Sequence, residues 1–280
     1  MKKTLMALLA LSSVASAAIE DAEWTFQGNL DVTGTIPKPA PTPKVVNSTS
    51  GEIQPTFIDT NKKMGDKVGE YYLTEDLGKA LTLTGSDRMT VGGNTYWGNN
   101  TLTAGTGAIN SFTLSAWVNF ASVDGEQMFF GTGSNNTVGI AMVVKDGQLD
   151  LLLKGVDHKY FSTTDLVSAE AWTNLAITYD METDLAVGYI NGEEIGSVDL
   201  SKTTSQSAGG SGIVFGSGCF DIKQGGFNGS IADFQILNGA LDQAGVLAAA
   251  HLSENPVVPE PTTGTLSLLA LAGLCIRRRK

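Results

Sequence analysis

The stretch "SFTLSAWVNF", residues 111–120, decides the fold. Phe112, Leu114, Ala116, Val118 and Phe120 fall on one side of an extended chain, with Thr113, Ser115, Trp117 and Asn119 on the other. Successive side chains of a strand point to opposite faces. This alternation, rich in aromatic and branched residues, predicts a strand with one face in a core and the other half wet. "WTNLAITYD" (172–180) repeats it, setting Leu175, Ile177 and Tyr179 against Asn174, Ala176 and Thr178.

Outward from these strands the chain is punctuated by hairpin signals. Asp146-Gly147 and Asn191-Gly192 each separate two apolar runs, and both pairs tolerate the positive φ angles that a two-residue hairpin turn demands. Further short strands are predicted at "ALTLTG" (80–85), "QMFFGTG" (127–133), "GIVFGS" (212–217) and "SIADFQIL" (230–237). One helix is predicted in "LDQAGVLAAAHL" (241–252), opened by Leu241 and Asp242 and followed by Pro256. Many short strands with Gly-rich turns and no βαβ rhythm define an all-β chain, an antiparallel two-sheet sandwich or jelly roll. The Pro-rich stretch 35–44 reads as a long loop within one domain, and "AEWTFQGNLDV" (22–32) before it as a first strand docking into the sandwich.

Taken in order, "FTLSAWVNF", "AWTNLAITYD", "VGYINGEEIG" and "FNGSIADFQILNGAL" with its short helix resemble the laminin-G/concanavalin A-like superfamily, and "EWTFQGNL" resembles its opening strand. The resemblance covers about residues 23–250 and implies a jelly roll. It does not imply an activity, because that fold hosts lectins, glucanases, adhesins and structural modules.

The two ends of the chain read differently. Lys2 and Lys3, an apolar run at 5–11 and the small residues Ala15-Ser16-Ala17 make a secretory signal with signal-peptidase cleavage after Ala17 or Ala18. That run is too short for a membrane helix of about 20 residues. At the other end, the 12-residue apolar run 265–276 is followed at once by Arg277, Arg278, Arg279 and Lys280. With Pro259-Glu260-Pro261 before it, residues 258–280 resemble the PEP-CTERM sorting signal of exported bacterial proteins. The resemblance implies processing near Pro-Glu-Pro by an exosortase-type membrane peptidase, a transient inner-membrane anchor and a place of action at or beyond the cell surface. The organisation expected is therefore signal peptide 1–17, jelly-roll domain 18–252, and linker with sorting segment 253–280.

Removing residues 1–17 and 277–280 takes away six of the 18 cations and no acid, leaving 12 cations against 29 acids, or −17. Such a surface repels phosphate backbones and disfavours nucleic acid as a partner, while suiting hard cations such as Ca²⁺. Of the two cysteines, Cys275 lies in the tail, so the processed domain keeps Cys219 and no internal disulfide. Cys219 is either a small strand-edge hydrophobe or an intermolecular partner.

Catalytic patterns are absent. Retaining glycosidases need two carboxyl groups about 5–5.5 Å apart, and the Glu-x-Asp-x-x-Glu strand of concanavalin-like glucanases does not occur. Asp180, Glu182 and Asp184 imitate it, but they fall where a turn is expected. There is no Gly-x-Ser-x-Gly, His-Glu-x-x-His or P-loop. His158 reads as a loop or strand-edge residue and His251 as a helix-end residue. The chain is expected not to be an enzyme.

Two binding sites are candidates. "GGNTYWGNNTL" (92–102) places Tyr96 and Trp97 among Asn94, Asn99 and Asn100, the mixture a sugar needs because a pyranose ring has an apolar face and polar edges. Trp97 either forms that platform or folds back to cap the core, whereas Trp24, Trp117 and Trp172 read as structural. Related jelly rolls often hold a structural Ca²⁺. That resemblance makes Asp233 a ligand candidate, with Asp31 or Asn29 from the first-strand loop; the alternative is an ordinary solvent-facing Asp, opposite in alternation to Ala232, Phe234 and Ile236. The function expected is an exported binding or adhesion module for extracellular polysaccharide. Its rivals are a structural or protein-interaction module of the matrix and a glycoside hydrolase with unfamiliar catalytic residues.

Overall fold

A computed structural model describes residues 20–34, 43–91, 102–106, 108, 110–134, 137–153, 157–203, 206–207, 213–216 and 226–256. Two eight-stranded antiparallel sheets stack as a jelly-roll sandwich. In the first, the order is Glu193–Asp199, Leu185–Ile190, Thr173–Asp180, Phe112–Phe120, Gly229–Asn238, Lys79–Leu83 and Thr56–Asp59. Its eighth strand, Glu20–Trp24, also pairs with Gly229–Asn238. The second runs Asp157–Tyr160, Gln148–Leu153, Thr137–Lys145, Glu126–Ser134, Ile213–Gly216, Asp87–Val91, Lys44–Asn47 and Gly51–Ile53.

Between the sheets, Phe112, Leu114, Ala116, Val118 and Phe120 join Leu175, Ile177 and Tyr179 in one core, as their alternation predicts. Trp24, Phe130, Phe215 and Phe234 form its aromatic centre, with ring centroids 4.5–6.0 Å apart. Fully burying such a side chain contributes about 1.5–3 kcal/mol.

The half-wet outer face is not observed. Thr113, Ser115 and Trp117, and Asn174 and Thr178 beside them, are also buried. The reason is tertiary: the helix Gln243–Ala249 and a three-stranded sheet of Leu252–Ser253, Tyr71–Leu73 and Lys67–Val68 lie over this face. Asp242 caps the helix by accepting from the Gly245 amide at 2.8 Å, satisfying one of the orphan donors of a first turn. Trp117 donates from Nε1 to the Ala250 carbonyl at 3.2 Å, tying the chain that follows the helix to the central strand.

Both hairpins form where expected. Asp146 and Gly147 take φ of 50° and 81°, and Asn191 and Gly192 take 52° and 81°. Gly192 has a second constraint, because a β-carbon there would lie 2.2 Å from Leu247 Cδ2. The hairpin tip is thereby the seat on which the helix docks.

Candidate functional site

The segment between Phe161 and Thr173 crosses the end of the first sheet and shapes a hollow there. It is pinned at several points. Phe161 packs where Gly188 and Gly196 have no side chain. The Val167 amide donates to the Gly147 carbonyl at 2.8 Å, and the Glu170 amide to the Phe120 carbonyl at 2.7 Å. Glu170 accepts a left-handed φ of 57° to make that last contact. With Phe161 and Val167 buried, Leu166 between them stays 50% exposed, so its exposure is imposed by the anchors.

The hollow measures about 480 Å³, and its lining includes Leu166, Trp172, Val68, Lys62, Ser168 and Asn191. That volume lies within the range of small-ligand sites. Trp172 is half-buried against the cluster of Val68, Leu73 and Trp117. Asn191 is fixed in place: its Oδ1 accepts from the Asn174 amide at 2.9 Å and its own amide donates to the Asn174 carbonyl at 2.8 Å. Lys62 makes no ion pair among the described residues, whereas Lys67 reaches Glu70 at 3.3 Å on the open surface. An indole and an isobutyl group beside amide, hydroxyl and ammonium groups can stack on one face of a sugar ring and hydrogen-bond its edge. Trp172 reads as structural in the sequence, and it does pack against the cluster of Val68, Leu73 and Trp117 while also lining the hollow. It sits one residue before its strand, outside any periodic pattern, and only the crossing segment and the 62–69 region make its surroundings concave.

The other predicted residues are distributed as follows. Asn94, Tyr96, Trp97 and Asn99 lie outside the described residues, as do Ala17, Cys219, Pro259, Glu260, Pro261, Arg277, Arg278 and Arg279. Asp233 sits where Gly229–Asn238 changes partner, from Lys79–Leu83 at Ile231 to Glu20–Trp24 at Phe234. A register shift opposite Ser115–Trp117 makes a bulge there, and Asp233 takes φ 44°. The bulge breaks the expected alternation: Ala232 joins the outer cluster while Phe234 and Ile236 enter the core. Asp233 is 7% exposed, not solvent-facing. Its carboxylate accepts from Gln235 Nε2 at 3.0 and 3.1 Å and faces His251 Nε2 at 3.1 Å.

These contacts bear on the calcium expectation. Asn29 and Asp31 are exposed, and Asn29 Oδ1 accepts from the Asp31 amide at 3.1 Å. The 200 Å³ hollow at Asp233 is lined instead by Glu23, Glu75, Asp76 and His251. Among the described residues no three His, Cys, Asp or Glu side chains are arranged to hold a metal ion. The residues present therefore do not make the expected ligand set.

The acidic segment after Tyr179 is a closed turn. Asp180 accepts from the Thr183 hydroxyl at 2.8 Å and the Glu182 amide at 3.1 Å, which hold its carboxyl below the usual range. Asp184 accepts from the Tyr179 hydroxyl at 2.6 Å. Burial and this partner push the Tyr179 phenol up. These carboxylates satisfy their own turn, which is no arrangement for attack on a glycosidic bond.

A two-sheet jelly roll of this order, with a helix returning over the first sheet, defines a class of fold that comparison makes specific. The family model for the concanavalin A-like lectin/glucanases superfamily matches residues 92–247, more than half of the chain, and the chain belongs to that family. No curated protein matches it in sequence. Its fold is similar to domain 4 of a GH43 extracellular arabinanase from Geobacillus stearothermophilus, solved in complex with arabinotriose. The TM-score is 0.59 at 19% identity, covering 82% of this chain and 98% of that one. It is also similar to the botulinum neurotoxin serotype D binding domain, with TM-score 0.51 and 14% identity over 83% of this chain and 51% of that one.

Proposed function

We propose that the chain is an exported, non-catalytic carbohydrate-binding module that acts at the cell surface or in the extracellular matrix. The observation that carries the reading is the half-buried Trp172 beside the half-exposed Leu166, in a hollow bordered by Asn191, Ser168 and Lys62. A large aromatic in a concave, partly wetted position supports a ligand with an apolar face and polar edges. Family membership supports it too, since the fold hosts lectins; at 19% identity the arabinanase domain carries the fold and not the ligand. Export rests on the signal before Ala17, and surface retention on Pro259-Glu260-Pro261 and Arg277–279 as substrates of an exosortase-type peptidase.

A glycan array probed with the purified chain tests the reading. Trp172→Ala is expected to weaken binding by at least about tenfold. Leu166→Asp, at an exposed position that leaves the fold intact, is expected to weaken it as well. Binding that both variants retain moves the site to another surface, with Trp97→Ala as the next variant. Absence of binding to any glycan favours the protein-interaction reading, for which the exposed Met181 and Leu185 at one turn are the starting point.

A further inference from the structure

The hollow at Trp172 does not end at Leu166. A second one, of about 350 Å³, shares Gly69, Leu166, Ile190 and Asn191 with it. The two form one groove along the crossing segment and the hairpin tip. Its ends differ in charge. The Trp172 end carries Lys62 and Lys67 against Glu170, whereas the far end carries Asp165, Glu193 and Glu194. Glu193 and Glu194 are both exposed and follow directly from the Asn191-Gly192 turn. Lys67 is already paired with Glu70 at 3.3 Å, so the cation that distinguishes the Trp172 end from the acidic far end is Lys62. Lys62 lines the hollow and enters no ion pair among the described residues.

We infer that this groove, on the saccharide reading above, takes an acidic heteropolysaccharide in which one uronate is flanked by neutral sugars. The uronate ring lies against Trp172 with its carboxylate on Lys62, and the neighbouring neutral unit crosses Leu166. The three carboxylates beyond select against a second uronate, because like charges brought together in a partly desolvated groove repel. A charge-assisted hydrogen bond from ammonium to carboxylate is about twice as strong as a neutral one, so Lys62 discriminates between uronate and its neutral counterpart. The second hollow gives the groove room beyond a single ring, which favours an internal stretch of polymer over a chain end.

Titration calorimetry at low salt tests this with three sets of oligosaccharides of equal length: neutral, singly uronate-substituted within a neutral backbone, and homopolyuronate. The singly substituted set is expected to bind about tenfold tighter than the neutral set, and the advantage is expected to shrink as salt is raised. Lys62→Met should abolish the advantage, so that this variant binds the neutral and the singly substituted sets equally, and its melting temperature should match the parent's because Lys62 makes no ion pair among the described residues. Glu193→Gln with Glu194→Gln should improve homopolyuronate binding several-fold. Equal binding of neutral and uronate sugars, or an advantage that survives Lys62→Met, overturns the inference but leaves saccharide binding standing. Failure of all three sets on a chain that binds no arrayed glycan removes both.

Discussion

Both histidines are held by a buried aspartate, one on each sheet, and the settings differ. On the second sheet, Asp150 has zero exposure and accepts from the Lys159 amide at 2.7 Å and from His158 Nδ1. His158 stacks on Tyr160 at 5.6 Å, and its Nε2 lies 3.6 Å from Glu126. On the first sheet, His251 stands between two acids, with Nδ1 3.1 Å from Glu75 and Nε2 3.1 Å from Asp233. The Asp150 pair lies on regular paired strands, whereas the Asp233 pair joins a bulge to the residue just after the helix. In the first setting burial dominates and pushes the Asp150 carboxyl up. In the second the carboxylate partners dominate, Asp233 first, and raise His251 despite its own burial.

The largest effect is expected on the second sheet. Asp150→Ala leaves the Lys159 amide and the His158 ring without their acceptor, and breaking a buried ionic contact costs about 3 kcal/mol. For a domain of this size that lowers Tm by roughly 6–12 °C. Asp150→Asn keeps an acceptor for Lys159 and removes the charge that burial disfavours, so it should cost under about 1 kcal/mol. If differential scanning calorimetry shows Asn and Ala to be equally damaging, the charge itself matters and desolvation does not control this pair.

On the first sheet the backbone separates the contributions. Asp233→Ala removes the partners of Gln235 and His251 and also places a β-carbon without a polar group at φ 44°, for about 2–3 kcal/mol in all. Asp233→Gly loses the same contacts but accepts that φ freely, and should retain about 1 kcal/mol relative to Ala. Equal melts for Gly and Ala would mean that the bulge carries no strain. Chelation by EDTA should leave all of these melts unchanged, because Gln235 and His251 already occupy the carboxylate; a rise in Tm with added Ca²⁺ would restore the metal expectation.

The unequal legibility of the two pairs has a physical cause. Phe112–Phe120 and the Asp146-Gly147 and Asn191-Gly192 turns declare themselves because alternation and positive φ are local properties of a few residues. The Asp146-Gly147 turn places Asp150 in a ladder across from Val143, but the ladder that sets Asp150 across from Tyr160 and Leu152 across from His158 is joined by neither turn. The bulge at Asp233 lacks even a turn signal. Nothing in "SIADFQIL" marks the residue at which strand pairing changes from Lys79–Leu83 to Glu20–Trp24. Burial of Thr113, Ser115 and Trp117 depends in the same way on a helix that returns over the sheet from 130 residues away in sequence, and the concavity at Trp172 on segments that meet only in the fold. Local pattern fixes ladders; nonlocal covering decides which polar faces and clefts survive.

The smallest effect is the one that separates the two pairs by pH. With a carboxylate at each ring nitrogen, His251 satisfies both only as the imidazolium, which has two donors. The groups facing it are Asp233, Glu75 and, in the same hollow, Glu23 and Asp76. Because its folded pKa is raised above the ordinary 6.5, the stability it contributes is fully present below 6.5 and is lost as pH rises through the folded value. Asp150 acts in a different window: its carboxyl is raised above 3.8, so the native state binds the proton more tightly and stability falls as pH rises from 3.8 through that value. His251→Gln should therefore cost roughly 0.5–1 kcal/mol near pH 6 and almost nothing near pH 9, with the change absent from Asp150→Asn. A difference between wild type and His251→Gln that stays constant from pH 6 to pH 9 would show that the ring holds the helix end by shape alone. In that case the two pairs would differ in backbone setting but not in charge.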